Sequence, residues 1–408
     1  MSIHLDELKD VEVADVYKAG VYAATLRRTA HAIVFAYERS YLDANGPPVA
    51  TTLPLDDEPL STHASGALPP FFAGLLPEGR RLIALQRAVK TSADDELTLL
   101  LAVGADTVGD VQVVAAGSPP EAPRPHLEIS SWSSVRFSDL AAAGFGTDVD
   151  RVGLPGVQEK VSARMISFPI ERQSERYLLK LSPPEYPHLV ENEAFFLSAA
   201  RQTGLETAHA EIVHDNDGRP GLLVRRFDRV ATPGGVRMLA QEDGCQVLGR
   251  YPADKYRVTT EELVAALAGV CRARPAAARE LLRQIAFAYL SCNGDAHAKN
   301  FSVIHDDGEW RVTPLYDAPS SHPYGDTTMA LPIAGKRRED IGRTQFLALG
   351  AAVGLRERAV HKLLDDLLAR AEVWLDALDQ LPFDPHRRRK LRRAVEYRRA
   401  RLAVRGAG

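Results

Sequence analysis

Cysteine is scarce in this chain of 408 residues: Cys245, Cys271 and Cys292 are the only three. An odd count, at spacings unlike those of metal ligands, argues against a disulfide framework or a zinc site and fits a reducing cytoplasm. Lysine is scarce too. Of 50 basic residues only ten are lysines, so each lysine in an apolar or Gly-rich setting stands out. The apolar run Leu99-Leu100-Leu101-Ala102-Val103 is too short to cross a bilayer. The first residues, Met1-Ser2-Ile3-His4-Leu5-Asp6-Glu7, carry acids where a signal peptide carries bases. Nor does one sign of charge dominate. A net charge of −4 exerts no global pull toward nucleic acid, and any such contact must come from a local patch. What is present, 45% apolar and 25% charged residues, is the composition of a globular protein with room for two or three domains.

Residues from about 10 to 55 alternate apolar and polar around turns such as Asn45-Gly46-Pro47, the pattern of short antiparallel strands. From Leu68 to about Gly109 the period becomes helical. The Pro-rich stretch Gly117 to Pro125 then marks a boundary. A second strand-rich block holds Lys160-Val161-Ser162-Ala163-Arg164-Met165, Tyr177-Leu178-Leu179-Lys180-Leu181 and Gly221 to Phe227, interrupted by a helix from about Val190 to Arg201. Beyond Met238 the chain reads as mostly helical, except where Asp307-Gly308 turns a hairpin between Phe301 and Leu315. The expectation is an α+β, bilobal protein-kinase-like fold. It has a small strand-rich N-terminal domain (1–118), an N-lobe (126–236) and a mostly helical C-lobe (237–408).

The chemistry concentrates in Asn293-Gly294-Asp295-Ala296-His297-Ala298-Lys299-Asn300, followed by Asp317 in Pro314-Leu315-Tyr316-Asp317. Phosphoryl transfer needs one carboxylate to receive the hydroxyl proton, then an amide and a second carboxylate whose hard oxygens hold Mg²⁺ against the phosphates. Asp295, Asn300 and Asp317 supply these in kinase order. The usual His-Arg-Asp and Asp-Phe-Gly spellings are absent. Singly, these residues could be turn residues and a loop cap; together, flanking a hairpin, they read as a catalytic loop and a metal site. Gly153-Leu154-Pro155-Gly156-Val157-Gln158-Glu159-Lys160 is a Gly-rich loop running into a strand, where backbone N–H groups could cradle phosphate. Lys180, in an apolar strand, either snorkels at an edge or holds the α and β phosphates of ATP with a helix glutamate as partner. Glu193 is the chosen partner, with Glu191 close behind. Arg225-Arg226-Phe227 stands at the lobe junction, where adenine could meet the backbone. Lys299 could touch the transferred phosphate, whereas His297 suits a structural role. Ten Arg and Lys against the single acid Glu396 between Arg387 and Arg405 describe a solvated helix face or a patch for nucleic-acid phosphates.

These motifs together resemble the HipA family of bacterial Ser/Thr kinase toxins, over nearly the whole chain. Leu68-Pro69-Pro70-Phe71-Phe72-Ala73-Gly74-Leu75-Leu76-Pro77-Glu78-Gly79 is similar to that family's N-terminal signature. Gly156-Val157-Gln158-Glu159-Lys160 resembles its Gly-rich loop, and Gln241 to Gly249, followed by Lys255-Tyr256, resembles a further segment. Asn293 to Ser302 is nearly its catalytic loop. The resemblance implies ATP- and Mg²⁺-dependent phosphorylation of a protein serine or threonine. Nucleotide contacts fall on Pro155, Gly156, Val157, Gln158, Glu159, Lys160, Lys180, Arg225, Arg226, Phe227, His297, Ala298, Lys299 and Asn300. Asp295, with Lys180 and Asn300, is catalytic, and Asn300 and Asp317 bind the metal. It also implies a HipB-like helix-turn-helix antitoxin as partner, a translation-related substrate such as glutamyl-tRNA synthetase, growth arrest on phosphorylation, and a weak operator-DNA contact without membrane attachment. The alternatives are a non-catalytic co-repressor and a small-molecule kinase of related fold. One departure stands out: Gly153 occupies the place of the family's autophosphorylated serine, and Ser162 lies beyond the loop.

Overall fold

Strand alternation near the N-terminus builds an antiparallel five-stranded sheet in the computed structural model. Its strands are β1 (Val13–Lys18), β2 (Val21–Arg28), β3 (Ile33–Tyr37), β4 (Leu60–Ser61) and β5 (Val111–Ala115), in the order β4-β3-β2-β1-β5. The described residues are 5–62, 66–120, 129, 131–140, 165–172, 175–338 and 340–404. Ala19 and Gly20 close the β1–β2 hairpin, both at positive φ (49° and 81°). That is the sense of turn that matches strand twist. Three helices cover this sheet: α2 (Pro70–Ala73), α3 (Gly79–Val89) and α4 (Glu96–Val103); α1 (Arg39–Asp43) follows β3. Leu26, Phe35, Phe72, Leu97, Leu100 and Val113 meet in their shared core. Sequence alternation had suggested strand up to about residue 55, but α1 breaks the pattern, and the stretch after it forms only an isolated Ala50–Leu53 bridge.

A second sheet, β6 (Ile166–Arg172), β7 (Glu175–Leu181), β8 (Ala210–His214) and β9 (Pro220–Arg225), runs in the order β6-β7-β9-β8. Side chains alternate across a strand, so Leu179 and Leu181 of β7 join one apolar cluster with Ile170 and Phe137, while Lys180 points to the opposite face. That face carries Leu222, opposite Lys180 on β9, and packs on Leu189 and Val190 of α5 (Leu189–Gln202).

Beyond the hairpin β10 (Arg229–Thr232)–β11 (Gly235–Met238), helices dominate: α6 (Gly244–Val247), α7 (Thr260–Val270), α8 (Arg274–Leu290), α9 (Arg343–Ala352), α10 (Glu357–Asp376) and α11 (Pro385–Ala403). Thr259 and Glu262 form a capping box that starts α7. The central helix α8 buries Leu281, Leu282, Ile285, Phe287 and Tyr289 in a core that also takes Trp374 and Phe196. Within this lobe lies a small sheet, β12 (Gln241–Asp243), β13 (Ser302–Asp306) and β14 (Glu309–Val312). Its β13–β14 hairpin turns at Asp307-Gly308, as the sequence suggests. β12 is an addition that sequence did not offer, because three residues carry too short a period to register. No helix among the described residues is long and apolar enough to cross a membrane.

Candidate active site

The expected catalytic loop begins where α8 ends. Asn293 N–H donates to the Ala288 carbonyl at 2.9 Å, and Gly294 N–H donates to Ser321 Oγ at 2.8 Å. A Cβ on Gly294 would lie 2.6 Å from the Thr328 carbonyl oxygen and 2.7 Å from Ser321 Oγ, so only glycine fits there. Asp295 N–H donates to Asn293 Oδ1 at 3.0 Å, which fixes the turn presenting Asp295. Asp295 itself is buried, at 1% exposure.

From this loop a continuous chain of polar contacts runs across the cleft. Asn300 Nδ2 donates to the Asp295 carbonyl at 3.2 Å and to Asp317 Oδ2 at 3.0 Å. Lys180 Nζ then donates to Asp317 Oδ1 at 2.9 Å and to Glu193 Oε1 at 2.7 Å. Of the two helix glutamates, Glu193 is the one buried beside Lys180, while Glu191 meets His188 at 3.2 Å. Asp317 has φ +53°, a left-handed conformation that Asp tolerates better than most residues. Two carboxylates around one ammonium make the cluster hold its protons. Burial works against the charge on Lys180, but Asp317 and Glu193 outweigh it and raise its pKa. Burial drives the Glu193 carboxyl up to about 7, with Asp317 adding to the rise and the Lys180 charge opposing it.

Asp317 and Asn300 carry the hard oxygen donors that Mg²⁺ takes; here the Lys180 ammonium and the Asn300 amide N–H occupy the two Asp317 oxygens, and a cation would take their place. Among the described residues no three His, Cys, Asp or Glu side chains cluster as a metal cage. A nucleotide-borne Mg²⁺ needs no such cage, since phosphates and water complete its shell.

Other expected contacts lie elsewhere. Lys299 Nζ is held by Asp243 Oδ2 at 2.8 Å and by the Gly74 carbonyl at 3.0 Å, with Glu78 at 3.6 Å. His297 stacks edge-on against Tyr256, and Ala298 N–H donates to the Lys255 carbonyl at 3.1 Å. Arg225 pairs with Glu175 at 2.8 Å. The N–H groups of Arg225 and Arg226 serve the carbonyls of His209 and Arg176, both at 2.8 Å, while Phe227 packs against Tyr316. The Arg226 guanidinium reaches Asp106 and Asp228, each at 2.8 Å. The loop Pro155 to Lys160, with Gly153 and Ser162, lies outside the described residues. The sequence places Tyr256, Asp243 and Glu78 in family-like segments but gives them no role at the site. The Asp243-Gly244-Cys245-Gln246 capping box was a readable signal for the second. Nothing local marks Glu78 as a partner of residues about 180 to 220 positions away.

Two family models match this chain. The HipA N-terminal domain matches residues 14–114, and the HipA-like C-terminal domain matches residues 152–375. The chain belongs to the HipA family. It is 33% identical over 401 residues to the putative kinase Y4mE of Sinorhizobium fredii, covering 90% of this chain and 93% of that protein. It is 29% identical over 313 residues to the serine/threonine-protein kinase toxin HipA of Shewanella oneidensis, covering 71% and 70%. A solved HipA from Shewanella oneidensis, in complex with HipB and its operator DNA, superposes with a TM-score of 0.76 at 23% identity over 95% of this chain and 96% of that one. This match bears out the α+β, bilobal kinase-like fold expected of a HipA-family chain.

Proposed function

We propose that this HipA-family chain is an ATP- and Mg²⁺-dependent serine/threonine protein kinase and the toxin of a toxin–antitoxin pair. The observation that carries the reading is the unbroken contact chain from Asp295 through Asn300, Asp317 and Lys180 to Glu193. It joins the side chains of Asn300, Asp317, Lys180 and Glu193 to the Asp295 backbone, from segments up to 137 residues apart, and these are the groups that phosphoryl transfer requires. In this reading the acceptor hydroxyl gives its proton to Asp295 as its oxygen bonds to the γ-phosphorus. The bond from that phosphorus to the β–γ bridging oxygen breaks, and ADP leaves. Lys180 exchanges Asp317 for the α and β phosphates while Glu193 keeps it oriented. Bound Mg²⁺, held by Asn300 and Asp317, would neutralise charge on the phosphate oxygens. Adenine recognition falls to Phe227, because the N–H groups of Arg225 and Arg226 already serve the sheet.

The partner in this reading is a HipB-like helix-turn-helix antitoxin, supported by the complex in which the Shewanella oneidensis protein was solved. The substrate is a translation-related protein such as an aminoacyl-tRNA synthetase. The deciding experiment incubates wild type and Asp295→Asn with γ-labelled ATP, Mg²⁺ and a bacterial lysate. The expected outcome is a labelled protein band with wild type and a loss of at least about 100-fold in the variant. Label appearing only in small molecules would make it a small-molecule kinase. No label at all would leave a co-repressor acting on operator DNA.

A further inference from the structure

Tyr256, a side chain outside the expected set, touches the proposed base. Its hydroxyl donates to Asp295 Oδ1 at 2.8 Å. The contact is built rather than incidental, because the phenol is fixed from several directions. Its ring stacks edge-on against His297 with centroids 5.1 Å apart, and the Lys255 ammonium lies 5.4 Å from the ring centroid. The Tyr256 carbonyl accepts from Arg337 Nη2 at 3.1 Å, and the neighbouring Lys255 carbonyl accepts from Ala298 N–H on the catalytic loop. The segment carrying Tyr256 is therefore tied to the loop by backbone as well as by side chain. Burial, followed by the charge and hydrogen bond of Asp295, raises the phenol's pKa, so the proton stays on Tyr256 and the group acts as a donor.

We propose that Tyr256 is the positioning residue of Asp295: by holding Oδ1 it fixes the plane in which the carboxylate meets the acceptor hydroxyl. A carboxylate able to rotate about its Cβ–Cγ bond presents its lone pairs in many directions, and proton acceptance in the transition state needs one of them. The hydroxyl is also the polar tip of a residue whose ring does separate packing, so the two roles can be split by one atom. This inference rests on the kinase reading for its catalytic consequence, but the contact itself can be tested without activity.

The experiment compares wild type, Tyr256→Phe, Asp295→Asn and the double variant. Two quantities are measured: the initial rate of label transfer from γ-labelled ATP into the lysate, as a function of ATP, and stability in urea. Tyr256→Phe keeps the ring against His297. It is expected to lower the saturating rate about tenfold or more while leaving the KM for ATP within about twofold, because nucleotide groups are untouched. In urea, the cost of Tyr256→Phe is expected to shrink once Asp295 is already Asn, since a neutral amide oxygen accepts the phenol more weakly than a carboxylate does. A full rate in Tyr256→Phe, a loss appearing mainly in the KM for ATP, or the same stability cost in both Asp295 backgrounds would each overturn the proposal. If wild type transfers no label, the kinase reading fails by itself. The urea cycle then still decides whether Tyr256 holds Asp295.

Discussion

The N-terminal domain grips the rest of the molecule at two ionic knots of equal charge and different construction. At the lobe junction, Arg226 and Arg229 meet Asp106 and Asp228 at 2.8 to 3.0 Å, with the Thr107 and Gly109 carbonyls accepting further N–H bonds. At the loop that follows α8, Lys255 and Lys299 meet Glu78 and Asp243, with the Gly74 carbonyl as the extra acceptor. Each has two cations and two carboxylates. The first uses guanidinium forks, whose planar donors fix direction as well as distance. The second uses ammonium groups, point charges that turn freely toward whatever anion is nearest. Burial differs in the same sense: the arginine side chains are 8% and 1% exposed, whereas both lysines are 13% and Glu78 is 28%. A brace that must not move is built from arginine, and the contact beside the proposed active site is built from the cation that can re-partner.

This contrast can be broken by substitution. The largest stability effect is expected at the junction. Asp228→Asn leaves two buried guanidinium groups sharing Asp106, and should cost about 3–5 kcal/mol in urea-induced unfolding. Glu78→Gln, in the wetter knot, should cost about 1–2 kcal/mol, yet lower the rate of label transfer more than Asp228→Asn does at a temperature where both are folded. If Glu78→Gln proves the more destabilising, or leaves transfer untouched, the division of labour is wrong.

Acidification sharpens the comparison further, with a smaller effect. Burial opposes the charge on Asp228, but Arg226, Arg229 and the Gly109 N–H hold its carboxyl at about 2. A depressed carboxyl contributes stability above its unfolded range near pH 4 and loses it only as pH falls through the folded value. The junction is therefore unchanged between pH 8 and 6. Glu193 behaves oppositely. Its carboxyl is raised to about 7, so it takes up a proton over that interval and its pairing with Lys180 weakens. Transfer should fall several-fold from pH 8 to 6 with no loss of folded protein by circular dichroism. Glu193→Gln should give a lower but flat profile.

Sequence made the loop and hairpin legible because their signals are local: Asn293 to Asn300 is contiguous, and Asp307-Gly308 announces its own turn. The Lys180 partner was half legible. Helical phase places Glu191 and Glu193 about 200° apart on α5, which separates them but does not say which faces β7. The Asn192–Ser320 contacts settle the rotation of the helix. Lys299 was assigned toward phosphate from its place on the loop. In the structure Asp243 holds it at 2.8 Å, with the Gly74 carbonyl at 3.0 Å and Glu78 at 3.6 Å reaching it from the other domain, and no period in either segment encodes that meeting. The reverse holds for Arg226: read as a junction residue near adenine, it is occupied by Asp106 and Asp228, which only the docking of the domains reveals.

The β13–β14 hairpin leaves one consequence for how such proteins are recognised and altered. Asn300 and Asp317 meet because the strands between them pair rung by rung, from Val303 opposite Val312 out to Asp306 opposite Glu309. Their approach is set at the base of the hairpin and is indifferent to how many residues form its tip. A pattern search that demands a fixed interval between the two residues will therefore miss chains with longer tips, whereas one anchored on the flanking segments will find them. The same tip, at Asp307-Gly308, is a natural place to graft an epitope or a fluorophore without disturbing what lies beneath it.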